Sequence, residues 1–321
     1  MSALSPALLA ETESKPGRLC PADYAYPPSV FARAPDISTD VLYVVGGLYG
    51  NLAALDAVER LAGAERLPTT IVFNGDFHWF DADAEWFGEV ERHLARYPAL
   101  RGNVETEIAR KADIGAGCGC NYPESVGEDI VRRSNDILAQ LRREMPSSAR
   151  ARLGGLPMHA VAEVRGLRIG IVHGDAWSLA GWDFAPENLD SPHNRMALAE
   201  AAKSASVNAF ACTHTCLAAL RAFDFPSGPL TVVNNGAAGM PNFSGSRLGL
   251  LTRIGAAPSP RKPLYGAHRE GVWIDAIPLA YDHDKFLTQF LRRWPKGTPA
   301  YASYYDRIIK GPDYSIAQAA P

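Results

Sequence analysis

Long apolar runs are absent from this sequence of 321 residues. None approaches the length of about 18 residues that a membrane-spanning helix needs. The start of the chain also lacks a charged segment followed by a long apolar stretch, because the run from Pro6 to Ala10 is too short for a signal peptide. These absences predict a cytoplasmic protein without membrane contacts.

An excess of one charge and an even set of cysteines are also missing. The chain has 32 Lys and Arg residues against 35 Asp and Glu, a formal net charge of −3, so we expect no nucleic-acid partner. The densest basic stretch, from Arg132 to Arg152, coincides with a predicted helix and is interpreted as a solvated face. The five cysteines do not form an even disulfide framework, and in a reducing compartment they are free thiols or metal ligands.

Hydrophobic residues make up 47% of the chain, enough for one large core or two modest domains. Residues 1–38 are rich in Pro, Ala and Ser and are interpreted as a surface-wrapping or partly disordered arm. Residues 39–321 contain no repeat and no low-complexity linker, so they predict a single domain with a C-terminal strand and helix extension.

Strand and helix patterns alternate after the arm, and several strands follow. Helical spacing predicts helices that begin at Asn51 and cover 83–96, 128–144 and the segment around 286–294. Apolar runs predict strands at 41–45, 70–73, 159–164, 167–172, 207–212, 230–234, 248–254 and 272–281. Arg165 and Gly166 predict a hairpin turn between the third and fourth of these strands. The pattern indicates an α/β domain with sheet-on-sheet packing.

Polar side chains of metal-ligand type follow one predicted strand after another. In α/β sheets, ligands collect at the carboxyl ends of strands, so these side chains are expected to share one site. Carboxylates, amides, imidazoles and thiols are ligands for zinc, iron or manganese. The segments, in chain order, are GGLYGN, NGDFHWFD, RGNVE, VHGD, ACTH and NNGAAGMP.

This ordered series resembles the calcineurin-like metallophosphoesterases over about residues 40–240. Their motif order is D-x-H, G-D, G-N-H-[DE], H-G and G-H-x-H, with a loop after the last strand. The resemblance implies two packed mixed β-sheets flanked by helices, a four-layer sandwich with a two-metal site at the strand ends. Carried over one residue at a time, it assigns metal ligands to Asp76, Asn103, His173 and His214.

Four positions depart from the family pattern. The first aspartate is replaced by Gly47 and its partner histidine by Tyr49, and the histidine that would protonate the leaving group is Val104. The first histidine of the last motif falls on Cys212, whose thiolate is a competent zinc or iron ligand. The second metal position therefore keeps four candidate ligands, while the first keeps only Asp76 and His214, with Tyr49 as a conceivable phenolate ligand. A one-metal centre is the simplest interpretation.

Other residues could rebuild the site. Cys118 and Cys120 form a C-x-C pair that is either a ligand pair or two free thiols. His78 could ligate or replace the missing proton donor, or it could be a structural loop histidine. Glu105 occupies the place of a family acid that usually supports a ligand, and Arg101 is a candidate phosphate contact. Catalytic roles are therefore assigned to His78, Glu105 and Arg101.

The functional hypothesis is a metal-dependent hydrolase that acts on a small phosphate ester through one or two Zn, Fe or Mn ions, divalent or trivalent. A catalytically inactive binding or regulatory protein with this fold is the first alternative. Metal-dependent chemistry on a non-phosphate substrate is the second. The sequence does not indicate the oligomeric state or the identity of the ester.

Overall fold

Two six-stranded mixed sheets, packed face to face, organise residues 15–321, the part of the chain that the computed structural model describes. One sheet has the strand order β11-β12-β10-β2-β3-β4 and the other β1-β5-β6-β7-β9-β8. The strands are β1 Ile37–Ser38, β2 Val41–Val45, β3 Thr69–Asn74, β4 Ala99–Leu100, β5 His159–Val164, β6 Leu167–Val172, β7 Ala209–Cys212, β8 Ala219–Phe225, β9 Gly228–Asn234, β10 Gly249–Gly255, β11 Tyr265–Arg269 and β12 Val272–Leu279.

Each sheet contains three neighbouring parallel strands. Strands β2, β3 and β4 run parallel in one sheet, and β6, β7 and β9 run parallel in the other. Asn74, at the end of β3, donates a hydrogen bond of 2.6 Å to the Val172 carbonyl at the end of β6. The carboxyl ends of the parallel strands in the two sheets therefore meet at one edge of the sandwich.

The alternation of side chains along each strand builds the layers. In β2, Leu42 and Val44 join the apolar cluster between the sheets, whereas Val41, Tyr43 and Val45 join the cluster beneath the helices. Both sets are fully or almost fully buried, as expected of strands covered on two faces. The fold is thus helix, sheet, sheet, helix, which confirms the predicted four-layer sandwich.

Helices cover both outer faces. They are α1 Leu52–Gly63, α2 Ala84–Leu94, α3 Asn103–Ala109, α4 Glu128–Glu144, α5 Ser147–Gly155, α6 Pro186–Leu189, α7 Asn194–Ala205, α8 His283–Arg293, α9 Pro299–Lys310 and α10 Ile316–Ala319. The predicted start of α1 is confirmed, because the Asn51 side chain caps it by accepting from the Ala54 N–H at 3.0 Å. The predicted 128–144 helix and the hairpin turn at Arg165 and Gly166 are confirmed as well.

The two ends of the described chain pack onto the sandwich. Tyr24 and Phe31, in the predicted N-terminal arm, are fully buried against the second sheet, and β1 pairs with β5. The rest of the predicted arm, residues 1–14, lies outside the described residues. At the other end, α9 packs against α4 over the strand ends. No helix within residues 15–321 has the length and apolar character needed to cross a membrane.

Candidate metal centre and the adjoining cavity

Four of the five predicted metal ligands meet at the shared edge of the two sheets. Asp76 follows β3 and Asn103 opens α3 after β4, whereas His173 follows β6 and His214 comes two residues after β7. All four side chains are buried. Strand ends from both sheets thus supply one cluster, as the order of the motifs predicts.

The loop that carries Asp76 is held by Glu105. Its buried carboxylate accepts hydrogen bonds from the backbone N–H of Asp76 at 2.9 Å, of Phe77 at 3.1 Å and of Gly102 at 2.8 Å. Asp76 itself has φ 52°, a left-handed conformation that needs such support. Burial, together with the nearby Asp76 charge, raises the pKa of Glu105. Glu105 therefore positions a ligand and does not line the cavity, in contrast to its predicted catalytic role.

Backbone carbonyls fix the orientation of both histidines. His173 Nδ1 lies 3.0 Å from the Asn74 carbonyl oxygen, and His214 Nε2 lies 2.8 Å from the Cys120 carbonyl oxygen. A carbonyl can only accept, so these two nitrogens carry the protons of the neutral rings. His173 Nε2 and His214 Nδ1 consequently present lone pairs, the state that a metal ligand requires.

The opposing atoms of the cluster are also acceptors. Asn103 donates from Nδ2 to the Cys118 carbonyl at 2.9 Å, which turns its Oδ1 towards both imidazoles, 3.0 Å from His173 Nε2 and 3.0 Å from His214 Nδ1. Asp76 Oδ1 lies 3.4 Å from His173 Nε2 and has no hydrogen-bond partner among the described residues. Three neutral acceptor atoms and an oxygen of the Asp76 carboxyl group thus face one another.

The pKa values show how unfavourable this arrangement is without a cation. Burial raises the pKa of Asp76 to about 7. Burial lowers the pKa of His214 to about 3, with a further contribution from His173, and it lowers the pKa of His173 too. A buried carboxylate beside two neutral imidazoles lacks a compensating positive charge. A bound cation would supply that charge.

The cluster fits one transition-metal ion. Metal-ligand bonds of about 2.0–2.1 Å in a tetrahedral zinc site give ligand-ligand separations of about 3.3 Å. Four of the six separations among these atoms match that value: 3.0 Å from Asn103 Oδ1 to each imidazole, 3.3 Å between the two imidazoles and 3.4 Å from Asp76 Oδ1 to His173 Nε2. Within residues 15–321 no set of three or more His, Cys, Asp or Glu side chains is by itself arranged to hold an ion. The cluster depends on the amide oxygen of Asn103, which contacts both imidazoles.

The first metal position is filled by protein. The Tyr49 hydroxyl contacts the Cys216 sulfur at 2.5 Å, and a Cβ at Gly47 would lie 2.8 Å from the Tyr49 ring. Burial raises the pKa of Tyr49 well above its ordinary value and raises the pKa of Cys216 to about 11. These two side chains contact each other and glycine stands at the predicted aspartate position, so Asp76 is the sole acid that this position keeps among the described cavity residues.

Cys212 does not join the cluster, so its assignment as a ligand needs correction. It is the last residue of β7, and the alternation of that strand places it beside Phe210 in the apolar cluster under α7. Burial raises the pKa of its thiol far above the ordinary value. Cys216, two residues after His214, lines the cavity instead. The H-x-H spacing of the last motif fits His214 as its second residue, which gives Cys212, or as its first residue, which gives Cys216.

Two predicted catalytic residues lie away from the cavity. Both ring nitrogens of the buried His78 face carboxylates, Asp81 at 2.5 Å and Glu91 at 2.9 Å. Burial opposes protonation, but these two acids raise the pKa of His78 to about 9. The Arg101 guanidinium donates to the Gly154 carbonyl at 2.8 Å and does not line the cavity. His78 is a structural cation, and Arg101 is not placed to contact a phosphate bound there.

Cys118 and Cys120 are joined as a disulfide, which differs from the predicted free thiols or ligands. Their contribution to the cluster comes from the backbone. The Cys118 carbonyl accepts from Asn103, and the Cys120 carbonyl accepts from His214 and, at 3.0 Å, from Trp182 Nε1. The C-x-C segment therefore orients two of the four clustered side chains.

A cavity of about 400 Å³ opens onto the cluster. Two arginines that the sequence analysis did not assign to the site, Arg133 of α4 and Arg307 of α9, contribute to its wall. Val104, at the family's proton-donor position, lines it too. The remaining lining residues are Tyr49, Asp76, Trp79, Asn103, Cys120, Tyr122, Ile130, Trp182, His214, Thr215, Cys216, Met240, Ala302, Ser303 and Tyr304.

Comparison with known proteins identifies the fold. No protein-family model matches the chain, and no curated protein matches it. Among solved structures, a metallophosphoesterase from Sphaerobacter thermophilus is 16% identical and superposes with a TM-score of 0.51, covering 85% of this chain and 100% of that one. A hypothetical protein from Pyrococcus horikoshii OT3 is 16% identical with a TM-score of 0.55, covering 85% and 99%.

The chain has the calcineurin-like metallophosphoesterase fold, as the ordered motifs predict. At 16% identity the likeness concerns architecture. Within that fold, this chain brings Asp76, Asn103, His173 and His214 together beside the contact between Tyr49 and Cys216.

Proposed function

We propose that the protein is a metal-dependent hydrolase that acts on a small phosphate ester and uses a single Zn, Fe or Mn ion. The ion would be held by Asp76, Asn103, His173 and His214. The observation that carries the proposal is the convergence of four acceptor atoms, one of them a buried carboxylate oxygen without a partner. The metallophosphoesterase fold supports it.

When bound, such an ion supplies Lewis-acid polarisation of a phosphoryl oxygen and acidifies the attacking water. The protein contributes orientation. Asn74 and Cys120 hold the two histidines through their carbonyls, and Glu105 holds the loop of Asp76. Ligands fixed by such contacts need little reorganisation, and these outer contacts commonly change metal affinity when they are removed.

The cavity wall supplies positive charge to the ester. Arg307 donates to the Cys216 carbonyl at 3.0 Å and to the Pro241 carbonyl at 3.4 Å, contacts that fix its guanidinium beside the cluster. Arg133 faces the cavity from α4. Guanidinium groups bind phosphate oxygens with charge-assisted hydrogen bonds. These two arginines take the role predicted for Arg101.

No histidine is available to protonate the leaving group from the family position. Val104 occupies it, and among the described lining residues the sole histidine is His214, whose two nitrogens are committed to the cluster and to the Cys120 carbonyl. The hydrolase proposed here therefore depends on a leaving group that departs with little help from a protein acid.

Elemental analysis of purified protein, paired with a phosphate-ester hydrolysis screen, tests the proposal. We expect about one Zn, Fe or Mn per chain and turnover of an aryl phosphate. Metal without turnover of any phosphate ester would favour chemistry on another substrate. Background metal without turnover would favour a binding or regulatory protein.

Two variants at the end of β7 give a matched comparison. His214→Ala should reduce metal content to background, whereas Cys212→Ala, two residues away in the apolar cluster under α7, should keep it. Asp76→Asn should also lose metal, because it removes the clustered negative charge. Equal metal content in His214→Ala and Cys212→Ala would show that the ligand assignment is wrong.

A further inference from the structure

We infer that the ester is an aryl phosphate, a phosphate monoester of a phenol. It would be recognised by an aromatic and cationic wall that α4, α9 and the loop around Trp182 build beside the cluster of candidate metal ligands. This inference rests on the proposed function and names its substrate class. It is carried by three features of the cavity: its charge, its aromatic side chains and its missing proton donor.

The charge of the cavity favours a dianion. Of the described residues that line it, Asp76 is the sole acid, while Arg133 and Arg307 both carry positive charge. Neither arginine forms an ion pair with a carboxylate of residues 15–321, and Arg307 is fixed by backbone carbonyls alone. The wall therefore has one excess positive charge before a divalent ion adds two. A phosphate monoester carries close to two negative charges at pH 7, whereas a diester carries one.

Aromatic rings adjoin the cluster directly. The Trp182 ring lies 5.5 Å from the His214 ring and 6.0 Å from the Tyr122 ring, so it spans the space between a metal-type ligand and the outer wall. Trp79 and Tyr304 form an edge-on pair at 6.5 Å on the same cavity. A phosphorus atom held at the cluster therefore places its ester group among aromatic faces and edges, which favour a planar ring.

Val104, in the cavity wall, also favours an aryl ester, because it cannot protonate the leaving group. Without an acid, the leaving oxygen departs as an anion, so its departure depends on the acidity of the alcohol. A phenol has a pKa near 10, as tyrosine does, whereas an alkyl alcohol is closer to water at about 15.7. A missing general acid costs about 10²–10⁴ in rate, and this cost falls mainly on alkyl esters.

The binding test uses unreactive probes with the metal-loaded protein. Benzylphosphonate has a planar ring, and cyclohexylmethylphosphonate has the same carbon count and charge but a non-planar ring. Isothermal titration should show that benzylphosphonate binds about tenfold more tightly, an aromatic preference beyond apolar area. Equal affinity for the two probes would overturn the inference.

Variants of Trp182 separate ring recognition from folding. Trp182→Leu should lower the preference for benzylphosphonate by about threefold, whereas Trp182→Phe keeps an aromatic face and should retain it. Arg307→Gln should weaken both probes alike, because it acts on the phosphonate. If Trp182→Phe loses the preference as fully as Trp182→Leu, the hydrogen bond to Cys120 is what matters and the ring inference fails.

Hydrolysis separates this inference from the proposed function. The value of kcat/KM should fall steeply from 4-nitrophenyl phosphate to phenyl phosphate to glycerol phosphate. Comparable hydrolysis of glycerol phosphate and phenyl phosphate would overturn the aryl assignment and leave the hydrolase proposal standing. If the protein prefers benzylphosphonate but hydrolyses no ester, the hydrolase proposal fails and the aryl assignment stands as the description of a binding site.

Discussion

The replacement of an aspartate by Gly47 should be coupled energetically to the presence of Tyr49. A Cβ at position 47 would lie 2.8 Å from three atoms of the Tyr49 ring, including its hydroxyl oxygen. Tyr49 is 4% exposed, and its hydroxyl contacts the Cys216 sulfur, so a shift of its ring would break that contact. The perturbation that tests this coupling is Gly47→Ala, made with and without Tyr49→Ala.

The expected magnitude has two parts. Gly47 has φ 52°, and an L-residue in the left-handed region costs about 1–2 kcal/mol in free energy of unfolding. Overpacking against the buried Tyr49 ring costs about 1–3 kcal/mol more. Gly47→Ala should therefore destabilise the protein by about 2–5 kcal/mol when Tyr49 is present. With Tyr49→Ala the ring is gone, so only the backbone part remains.

Urea denaturation of the wild type, the two single variants and the double variant measures the difference. The coupling free energy between positions 47 and 49 should be about 1–3 kcal/mol, with the double variant less destabilised than the sum of the two single variants. All four proteins should have similar m-values, because a changed m-value would indicate a change in the unfolded state or the loss of two-state behaviour. If Gly47→Ala costs the same in both backgrounds, the ring does not occupy the missing carboxylate's place, and the account of the first metal position is refuted.

The same packing predicts what rebuilding that position requires. Gly47→Asp alone should not add metal, because the Tyr49 ring blocks the carboxylate. The triple variant Gly47→Asp, Tyr49→His and Cys216→His removes the tyrosine–cysteine contact and supplies three ligands beside Asp76. Its metal stoichiometry should rise from about one to about two. Activity should change little on that account alone, since Val104 remains.

Three further outcomes follow from the contacts of the site. Glu105→Gln should lower metal affinity without changing the metal's identity, because an amide cannot replace the carboxylate as acceptor of four backbone N–H groups. Chelator competition measures this affinity. Replacing Cys118 and Cys120 by Ser should keep about one ion per chain but weaken its retention, because the carbonyls that orient Asn103 and His214 would be less firmly fixed. The loss of a whole ion would instead indicate that the cysteines are thiolate ligands. The raised pKa of His78 contributes stability that is fully present below about pH 6.5 and is lost as pH rises through about 9. Between those pH values, the urea midpoint of His78→Gln should therefore depend less on pH than the midpoint of the wild type.

Local patterns accounted for the parts of the fold that local physics decides. The apolar run at 41–45, the helical spacing at 128–144 and the glycine turn after Arg165 each determine an element within a few residues of themselves, and each prediction is confirmed. The short strands β1 and β4 have two residues each and gain their pairing from partners far along the chain. Such strands carry no period that a sequence pattern could reveal.

The polar environment of a side chain depends on partners that sequence spacing does not show. His78 was assigned to catalysis because it follows Asp76 by two residues, yet it turns away to Asp81 and Glu91. Arg307 is separated by 91 residues from Cys216, whose carbonyl fixes it beside the cavity. Nothing in the local sequence of α9 connects it with the strand ends. The placement of Arg307 on the cavity therefore needed the folded structure.

The choice between Cys212 and Cys216 shows the limit most clearly. Each lies two residues from His214, one before and one after it, so spacing alone treats the two thiols as equivalent. The end of β7 decides between them, because Cys212 is still within the strand and shares the outward face of Phe210, whereas Cys216 lies beyond it, where the chain turns back over the cluster with φ 53°. The same turn brings the Cys216 sulfur onto Tyr49. The end of β7 thus places Cys216, and not Cys212, on the wall of the cavity.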